Sequence, residues 1–216
     1  LLLCLPLVLW LLHDEPQRFG LRPDGGTGPV GHGARPAAAL DGFSTTEAVR
    51  TSTFHLLAFV YFATGLAAFG VLVNAAQVLK ETAGLDMAAI ARTQALVGAS
   101  VLLGRVIVGG LLDRVDARLI GLVMSLTTAI AVLGYATSTT TTMAMASALL
   151  LGLSIGGESD VLPYLAARYF GVRSFGTIAG LLAASSTLGG ALAAVGFAGL
   201  AAASHSVTLP LFVCVA

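Results

Sequence analysis

Charged side chains are scarce in this chain of 216 residues, because lysine, arginine, aspartate and glutamate make up only 10% of it. An average soluble domain has about 25%. Hydrophobic residues account for 56% of the sequence, and the mean hydropathy is +0.92. This composition excludes an ordinary soluble globular protein and indicates an integral membrane protein. The formal net charge is zero, from 11 basic and 11 acidic residues, so binding to nucleic acid is not expected.

Cysteine and the common catalytic motifs are also nearly absent. The two cysteines, Cys4 and Cys214, lie in apolar segments at opposite ends of the chain, without CxxC spacing. No disulfide framework, metal site or cofactor is therefore expected. HExxH, GxSxG, paired catalytic aspartates and ATP-binding motifs are missing as well, so neither an enzyme nor an ATP-driven pump is expected.

Long apolar stretches are abundant instead, and they predict an all-α, polytopic transmembrane helix bundle. A helix needs roughly 20 residues to cross a hydrocarbon core of about 30 Å. The predicted spans cover residues 54–79, 88–112, 119–136, 143–166, 176–200 and 207–216, the last of them cut short. Residues 1–12 are too few to span, and we interpret them as the end of a helix that starts upstream. Residues 13–53 are rich in Gly, Pro and charge, and they predict an aqueous loop.

The basic residues predict the orientation of these spans. One side of the predicted membrane carries eight arginines and the other side carries Lys80 and Arg92; the eight are Arg18, Arg22, Arg35, Arg50, Arg114, Arg118, Arg168 and Arg173. The positive-inside rule then predicts that residues 13–53 and the arginine-bearing turns are cytoplasmic. We expect a multi-pass protein of the plasma (inner) membrane.

Three charged residues, Arg105, Glu158 and Asp160, interrupt the apolar spans. Each costs about 3 kcal/mol near a helix centre, so the surrounding structure must supply a partner, water or a ligand. Glu158 and Asp160 are two positions apart, about 200° of helix rotation, and they cannot face the same direction. Either acid is a candidate for proton coupling or for balancing the charge of Arg105, and structural pairing is the alternative.

Smaller polar residues and glycines give weaker signals. Tyr61 and Asn74 lie on the first full span and are candidate substrate-binding residues, although each serves equally well as a helix-contact residue. The GxxxG pairs at 152 and 156 and at 176 and 180 predict close packing between helices.

The sequence GGLLDRVDAR, at 109–118, resembles the Gly-x-x-x-Asp-Arg-x-Gly-Arg signature in cytoplasmic loops of the major facilitator superfamily. Gly109, Asp113, Arg114 and Arg118 match it, whereas Asp116 stands where the family usually has glycine. EPQRFGLRPDG, at 15–25, is similar to the segment that follows the sixth helix. GGESDVLPYLAARYFGVRSFGTIAG, from position 156, resembles the tenth-to-eleventh helix region of the oxalate/formate antiporter and monocarboxylate carrier branch.

This resemblance implies the C-terminal six-helix half of a twelve-helix transporter, from the end of helix six to part of helix twelve. The expected function is secondary transport of a small organic anion, such as a mono- or dicarboxylate, by alternating access with protons or a counter-anion. Arg105 matches the arginine that contacts the substrate carboxylate, and a structural salt bridge is the alternative. Asp113, Arg114 and Arg118 are expected to form a cytoplasmic latch. The expected partners are the anion, protons or a counter-anion, membrane lipid and the N-terminal half.

Two other functions remain open at this point. One is a drug/proton efflux transporter of the same fold. It would need acids within its membrane spans but no arginine that binds a substrate carboxylate. A non-transporting membrane sensor, or a truncated remnant of a transporter, has a similar sequence pattern.

Overall fold

The computed structural model describes the backbone of residues 42–204 and the side chains of residues 42–196. The predictions made for residues 1–12, 13–41 and 207–216 lie outside this range. Six helices follow one another in the described part, and they are α1 (Thr45–Val49), α2 (Ser52–Ala83), α3 (Met87–Leu112), α4 (Ala117–Thr137), α5 (Thr141–Phe170) and α6 (Phe175–Ser204). The predicted all-α transmembrane bundle is confirmed for these residues.

Five of the helices, α2 to α6, are long and apolar enough to cross a membrane. Each begins before the first residue of the corresponding predicted span, and α2, α4, α5 and α6 also end beyond it. The extra turns carry polar residues, such as Lys80 and Glu81 of α2, which a hydropathy pattern assigns to loops. Loops of three or four residues join α2 to α6, so consecutive helices run in opposite directions.

Side-chain caps fix where these helices begin. Thr51 accepts a hydrogen bond from the Phe54 N–H at 3.2 Å, and Asp86 accepts one from the Ala89 N–H at 2.9 Å. Such caps satisfy N–H groups that have no partner inside the helix. The end of α2 is set by Gly84, whose φ of 60° is a left-handed conformation that glycine adopts without strain.

The closest helix contact joins α3 to α5, and glycines make it close. A Cβ atom on Gly104 would collide with the Leu153 backbone, and one on Gly156 would collide with the Val101 carbonyl. Gly152 packs in the same way against α3, so the packing predicted for the pair at 152 and 156 is confirmed. Helix α4 also packs against α5, which makes α3, α4 and α5 one packed group.

A second group consists of α2 and α6, which also cross at glycines. Gly65 lies against the Ser186 backbone, and Gly189 lies against the Phe62 carbonyl. The glycines at 176 and 180 have no atom of the described residues within 4 Å of an added Cβ, so the packing predicted for that pair is not found there. Helix α2 also packs against α4, and α5 contacts both α2 and α6, so the two groups are joined along several helices.

The segment before α2 differs from the predicted aqueous loop. Residues 45–49 form the short helix α1, which Ser44 and Glu47 stabilise through a capping box. Ala48 is fully buried, and the Phe43 N–H donates to the Phe170 carbonyl at 2.8 Å. The segment is therefore held against the end of α5, because the capping box and this bond satisfy backbone groups that water would otherwise solvate.

Candidate functional site

A pocket lies at the seam where α2 and α6 meet α5. It has a volume of about 290 Å³, and polar and apolar side chains share its lining. Its lining residues are Tyr61, Thr64, Gly65, Ala68 and Phe69 of α2, Ile155, Glu158, Ser159 and Leu162 of α5, and Ala183, Ser186 and Thr187 of α6. Within each helix these positions are mostly three or four apart, which places them on one face.

Three of the hydroxyl groups in the lining are already engaged within their own helices. Thr64 donates to the Val60 carbonyl at 3.0 Å, Ser159 to the Ile155 carbonyl at 2.8 Å, and Thr187 to the Ala183 carbonyl at 3.1 Å. These bonds satisfy the hydroxyl protons inside an apolar helix. The same side chains retain oxygen lone pairs with which they can accept a further hydrogen bond.

Three other polar groups in the lining have no such internal bond. Within residues 42–196, the hydroxyls of Tyr61 and Ser186 donate to no other residue, and the Glu158 carboxylate has the Thr64 hydroxyl of α2 as a polar neighbour. These three side chains come from α2, α6 and α5 respectively. The pocket therefore gathers polar groups with free hydrogen-bonding capacity from three different helices.

Among the described residues, Glu158 is the only charged one that lines the pocket. Its nearest polar neighbour is Thr64, and no basic side chain of the described residues lies within ion-pair distance of its carboxylate. The side chain is partly buried in an otherwise uncharged surrounding. An isolated carboxylate in such surroundings is costly, and a proton or a bound cation removes the cost.

Asp160 does not line the pocket, although it is only two residues from Glu158. It lies three residues beyond Gly157, which packs against Val108 of α3 and Met124 of α4. Residues three apart share a helix face, so Asp160 lies on the side of α5 that faces these helices. The structure thus places the two acids in different surroundings.

Arg105 lies on α3 and is not part of the pocket. Its side chain is exposed, as are those of Leu102 and Val106 on the same helix. No acid among the described residues lies within ion-pair distance of its guanidinium. The structure therefore does not bring Arg105 together with Glu158.

The two weaker sequence candidates on α2 have different positions. Tyr61 lines the pocket and is only 4% exposed. Asn74 lies outside it, and its side-chain amide donates to the Gly70 carbonyl at 2.8 Å. Asn74 is therefore engaged with its own helix.

The loop between α3 and α4 holds the residues of the predicted latch. Gly109 has no described atom within 4 Å of an added Cβ, and Asp113 is the C-terminal cap of α3. Arg114 is exposed, and the Arg118 guanidinium lies over the Tyr169 ring of α5, 5.2 Å from its centre. Of these four residues, Arg118 makes the side-chain contact to another helix.

Sequence reasoning gave no role to Asp116, which departs from the family pattern. Its carboxylate accepts a hydrogen bond from the Arg118 N–H at 3.0 Å and caps α4. It also lies 3.8 Å from the Arg168 guanidinium of α5. The capping role of Asp116 could have been predicted, since an aspartate directly before an apolar run is typical of a helix start.

Thr64 and Ser186 were also not selected from the sequence. Serine and threonine are common in membrane helices, where they bond to their own backbone or to a neighbouring helix. Only the crossing of α2 and α6 at Gly65 brings Ser186 beside α2, close to Thr64. That crossing is a tertiary contact with no local signature.

Comparison with known proteins identifies a family for the chain. The sequence model of the Major Facilitator Superfamily matches residues 1–194, which is most of the chain. A search of curated proteins finds no match. The helical fold, the five apolar helices and the extent of the match agree with one another. The chain therefore belongs to the major facilitator superfamily.

Proposed function

We propose that the protein is a proton-coupled secondary transporter in which Glu158 binds and releases the coupling proton. Members of this superfamily are transporters, and the five membrane-spanning helices make this chain part of a multi-pass membrane protein. Proton coupling requires a group that changes charge inside the protein. Glu158 is the acid that lines the pocket between α2, α5 and α6.

The surroundings of Glu158 are the observation that supports this role. The carboxylate has no basic partner among the described residues, so protonation changes the net charge of the pocket by one unit. A carboxylate held in a salt bridge stays ionised, because the neighbouring positive charge favours the charged form, and it would be a poorer proton carrier. Asp160 lies outside the pocket and is the weaker candidate.

The sequence favoured a small organic anion as substrate, and Arg105 supports that proposal. The residue lies eight positions before Asp113, hence about 12 Å along α3 from the end of the helix. Its exposed guanidinium has no acid within ion-pair distance in the described part of the chain. A carboxylate could accept two parallel hydrogen bonds from it.

The pocket itself supports the second candidate, which is export of a cationic solute in exchange for protons. In the part of the chain that the structure describes, its lining contains one acid and no base. An anion in this pocket would be repelled by ionised Glu158, whereas a cation would be attracted. The two candidates therefore place the substrate on different residues, Arg105 or Glu158.

Transport by the complete protein in proteoliposomes tests the proton role. A pH gradient is expected to drive accumulation of a suitable probe, either lactate as the anion or 2-phenylethylammonium as the cation. Glu158→Gln is expected to abolish gradient-driven accumulation of whichever probe is transported. The variant keeps the size of the side chain but has no proton to release.

Two control variants each neutralise an acid that does not line the pocket. Asp160→Asn and Glu81→Gln are both expected to retain gradient-driven accumulation. Glu81 is exposed and accepts a hydrogen bond from Gln77 at 3.2 Å, away from the pocket. Unchanged accumulation by Glu158→Gln would exclude the proton role.

Arg105→Ala and Arg105→Lys test the anion substrate separately. Uptake of lactate is expected to fall at least tenfold in both variants, because lysine cannot reproduce the two parallel hydrogen bonds of arginine. Normal lactate uptake by Arg105→Ala would exclude the anion assignment and leave the cation.

A further inference from the structure

We propose that the pocket binds a protonated primary amine, whose ammonium group donates hydrogen bonds to Glu158, Tyr61 and Ser186. This inference rests on the proposed function, because Glu158 would then exchange a proton for the ammonium group. It adds the chemical class of the ligand and the two hydroxyl groups that select it.

The fold leaves part of the polar lining free of bonds to its own helices. Tyr61, Glu158 and Ser186 line one pocket from three helices, and within residues 42–196 none of the three side chains is bonded to its own helix. In the same lining, Thr64, Ser159 and Thr187 have already donated to their own helices. The helix backbone therefore satisfies one set of hydroxyls and leaves another set available.

All three groups line the cavity, so their free lone pairs are open to a ligand or to water. The group that satisfies all three must be a donor, since a carboxylate only accepts hydrogen bonds and a hydroxyl oxygen accepts readily. It should also carry a positive charge, since no basic side chain lines the pocket. A primary ammonium group has three N–H donors and one positive charge.

Other ligand classes match the lining less well. A quaternary ammonium group has the charge but no N–H, so both hydroxyls would remain without a partner. A neutral alcohol has a donor but leaves the carboxylate charge unbalanced. A carboxylate ligand would be repelled by Glu158 and would offer no donor.

The remaining lining sets the size and character of the rest of the ligand. Phe69, Ile155 and Leu162 supply apolar surface, and the volume of about 290 Å³ is suited to a small molecule. An aromatic ring such as Phe69 also tolerates a nearby cation. The expected ligand is a small amine with an aliphatic or aromatic body.

Equilibrium binding to the complete protein in detergent, measured by calorimetry at neutral pH, tests the inference with three probes. They are 2-phenylethylammonium, its N,N,N-trimethyl analogue and 2-phenylethanol. The primary amine is expected to bind most tightly. Tyr61→Phe and Ser186→Ala should each weaken its binding about tenfold or more, the effect of losing a hydrogen bond to a charged group.

The trimethyl analogue and two matched variants provide the controls. The affinity of the trimethyl analogue should be the same in Tyr61→Phe, Ser186→Ala and the unmodified protein, because it donates no hydrogen bond to either hydroxyl. That result also shows that the variants are folded. Tyr164→Phe and Ser185→Ala, neither of which lines the pocket, should bind the primary amine normally.

The inference is overturned if 2-phenylethylammonium does not bind, or if the hydroxyl variants bind it normally. An equal loss of affinity for the trimethyl analogue also overturns it, since that loss indicates a change of pocket shape. The proposed function fails separately, when Glu158→Gln retains gradient-driven accumulation. If Glu158→Gln loses gradient-driven accumulation but the unmodified protein binds no amine, the proton role of Glu158 stands and only the proposed ligand class is removed.

Discussion

Gly156 determines how closely α3 and α5 approach, and it gives the most direct test at the level of a single residue. A Cβ atom there would collide with the Val101 carbonyl, and the backbone cannot move away without separating the helices. Gly156→Ala is therefore expected to lower the free energy of unfolding by about 1–3 kcal/mol. Denaturation in detergent, followed by circular dichroism, measures the change.

Gly98→Ala is the matched control on α3, because no described atom lies within 4 Å of its added Cβ. Alanine favours helix over glycine by up to about 1 kcal/mol, so this variant should be as stable as the unmodified protein or slightly more stable. Equal destabilisation by both substitutions would show that the contact at Gly156 does not limit the approach.

Single residues also show how far a sequence can predict a site. The spacing of Glu158 and Asp160 was enough to place them on different helix faces. Which acid lies in a pocket depends on the rotation of α5 against α2 and α6, and that rotation is fixed by contacts between distant residues such as Gly65 and Ser186. Counting residues predicted how far Arg105 lies from the end of α3. It did not predict which residues surround the Arg105 side chain.

Among the structural elements, α1 was the least predictable. Apolar runs identified α2 to α6, because helices in a membrane need about 20 such residues. A five-residue helix has no periodicity to detect, and residues 13–53 are rich in glycine and proline. The sequence feature that indicates the start of α1 is Ser44 followed three residues later by Glu47, which is the pattern of a capping box.

The stability of α1 is expected to depend on pH. The backbone N–H and the hydroxyl of Ser44 hydrogen-bond to the Glu47 carboxylate, at 2.8 and 2.7 Å, and they lower the pKa of Glu47 from its ordinary value of 4.5. A lowered pKa in the folded state stabilises α1 above pH 4.5, and the stabilisation is lost as the pH falls through the lowered pKa. Amide hydrogen exchange of residues 45–49, corrected for the intrinsic rate at each pH, should show this loss of protection.

Glu47→Gln separates the charge from the hydrogen bond. Glutamine also completes a capping box, so α1 should remain protected at neutral pH but lose its dependence on acid. Glu47→Ala should lower the protection at every pH. Acid-dependent exchange that persists in Glu47→Gln would assign the effect to another group.

At the scale of the whole molecule, the bundle consists of two packed groups, α2 with α6 and α3 with α4 and α5. The pocket lies on the seam between them, because its lining comes from α2, α6 and α5. Sequence patterns predicted the five long helices of the described part and their alternating direction. They did not predict this grouping, which depends on where glycines of one helix meet the backbone of another.

The predicted orientation of the bundle can be tested by chemical labelling. Glu81 and Arg114 are both exposed and lie at opposite ends of the bundle. In a background with Cys4 and Cys214 replaced by serine, Glu81→Cys should react with an impermeant maleimide on intact cells. Arg114→Cys should react only after permeabilisation, because the arginine-rich end is predicted to be cytoplasmic. The reverse pattern would invert the topology.

The pairing of Gly42 with Gly171 has a mechanical consequence. The two residues form an antiparallel β-bridge, and the neighbouring Phe43 N–H is bonded to the Phe170 carbonyl. A force arriving at Gly42 from the preceding chain would load this bridge as well as α1, and through the bridge it would pull on the end of α5. The bridge would then pass part of the force to α5, the helix that carries Glu158, and less of it would reach the first turn of α2.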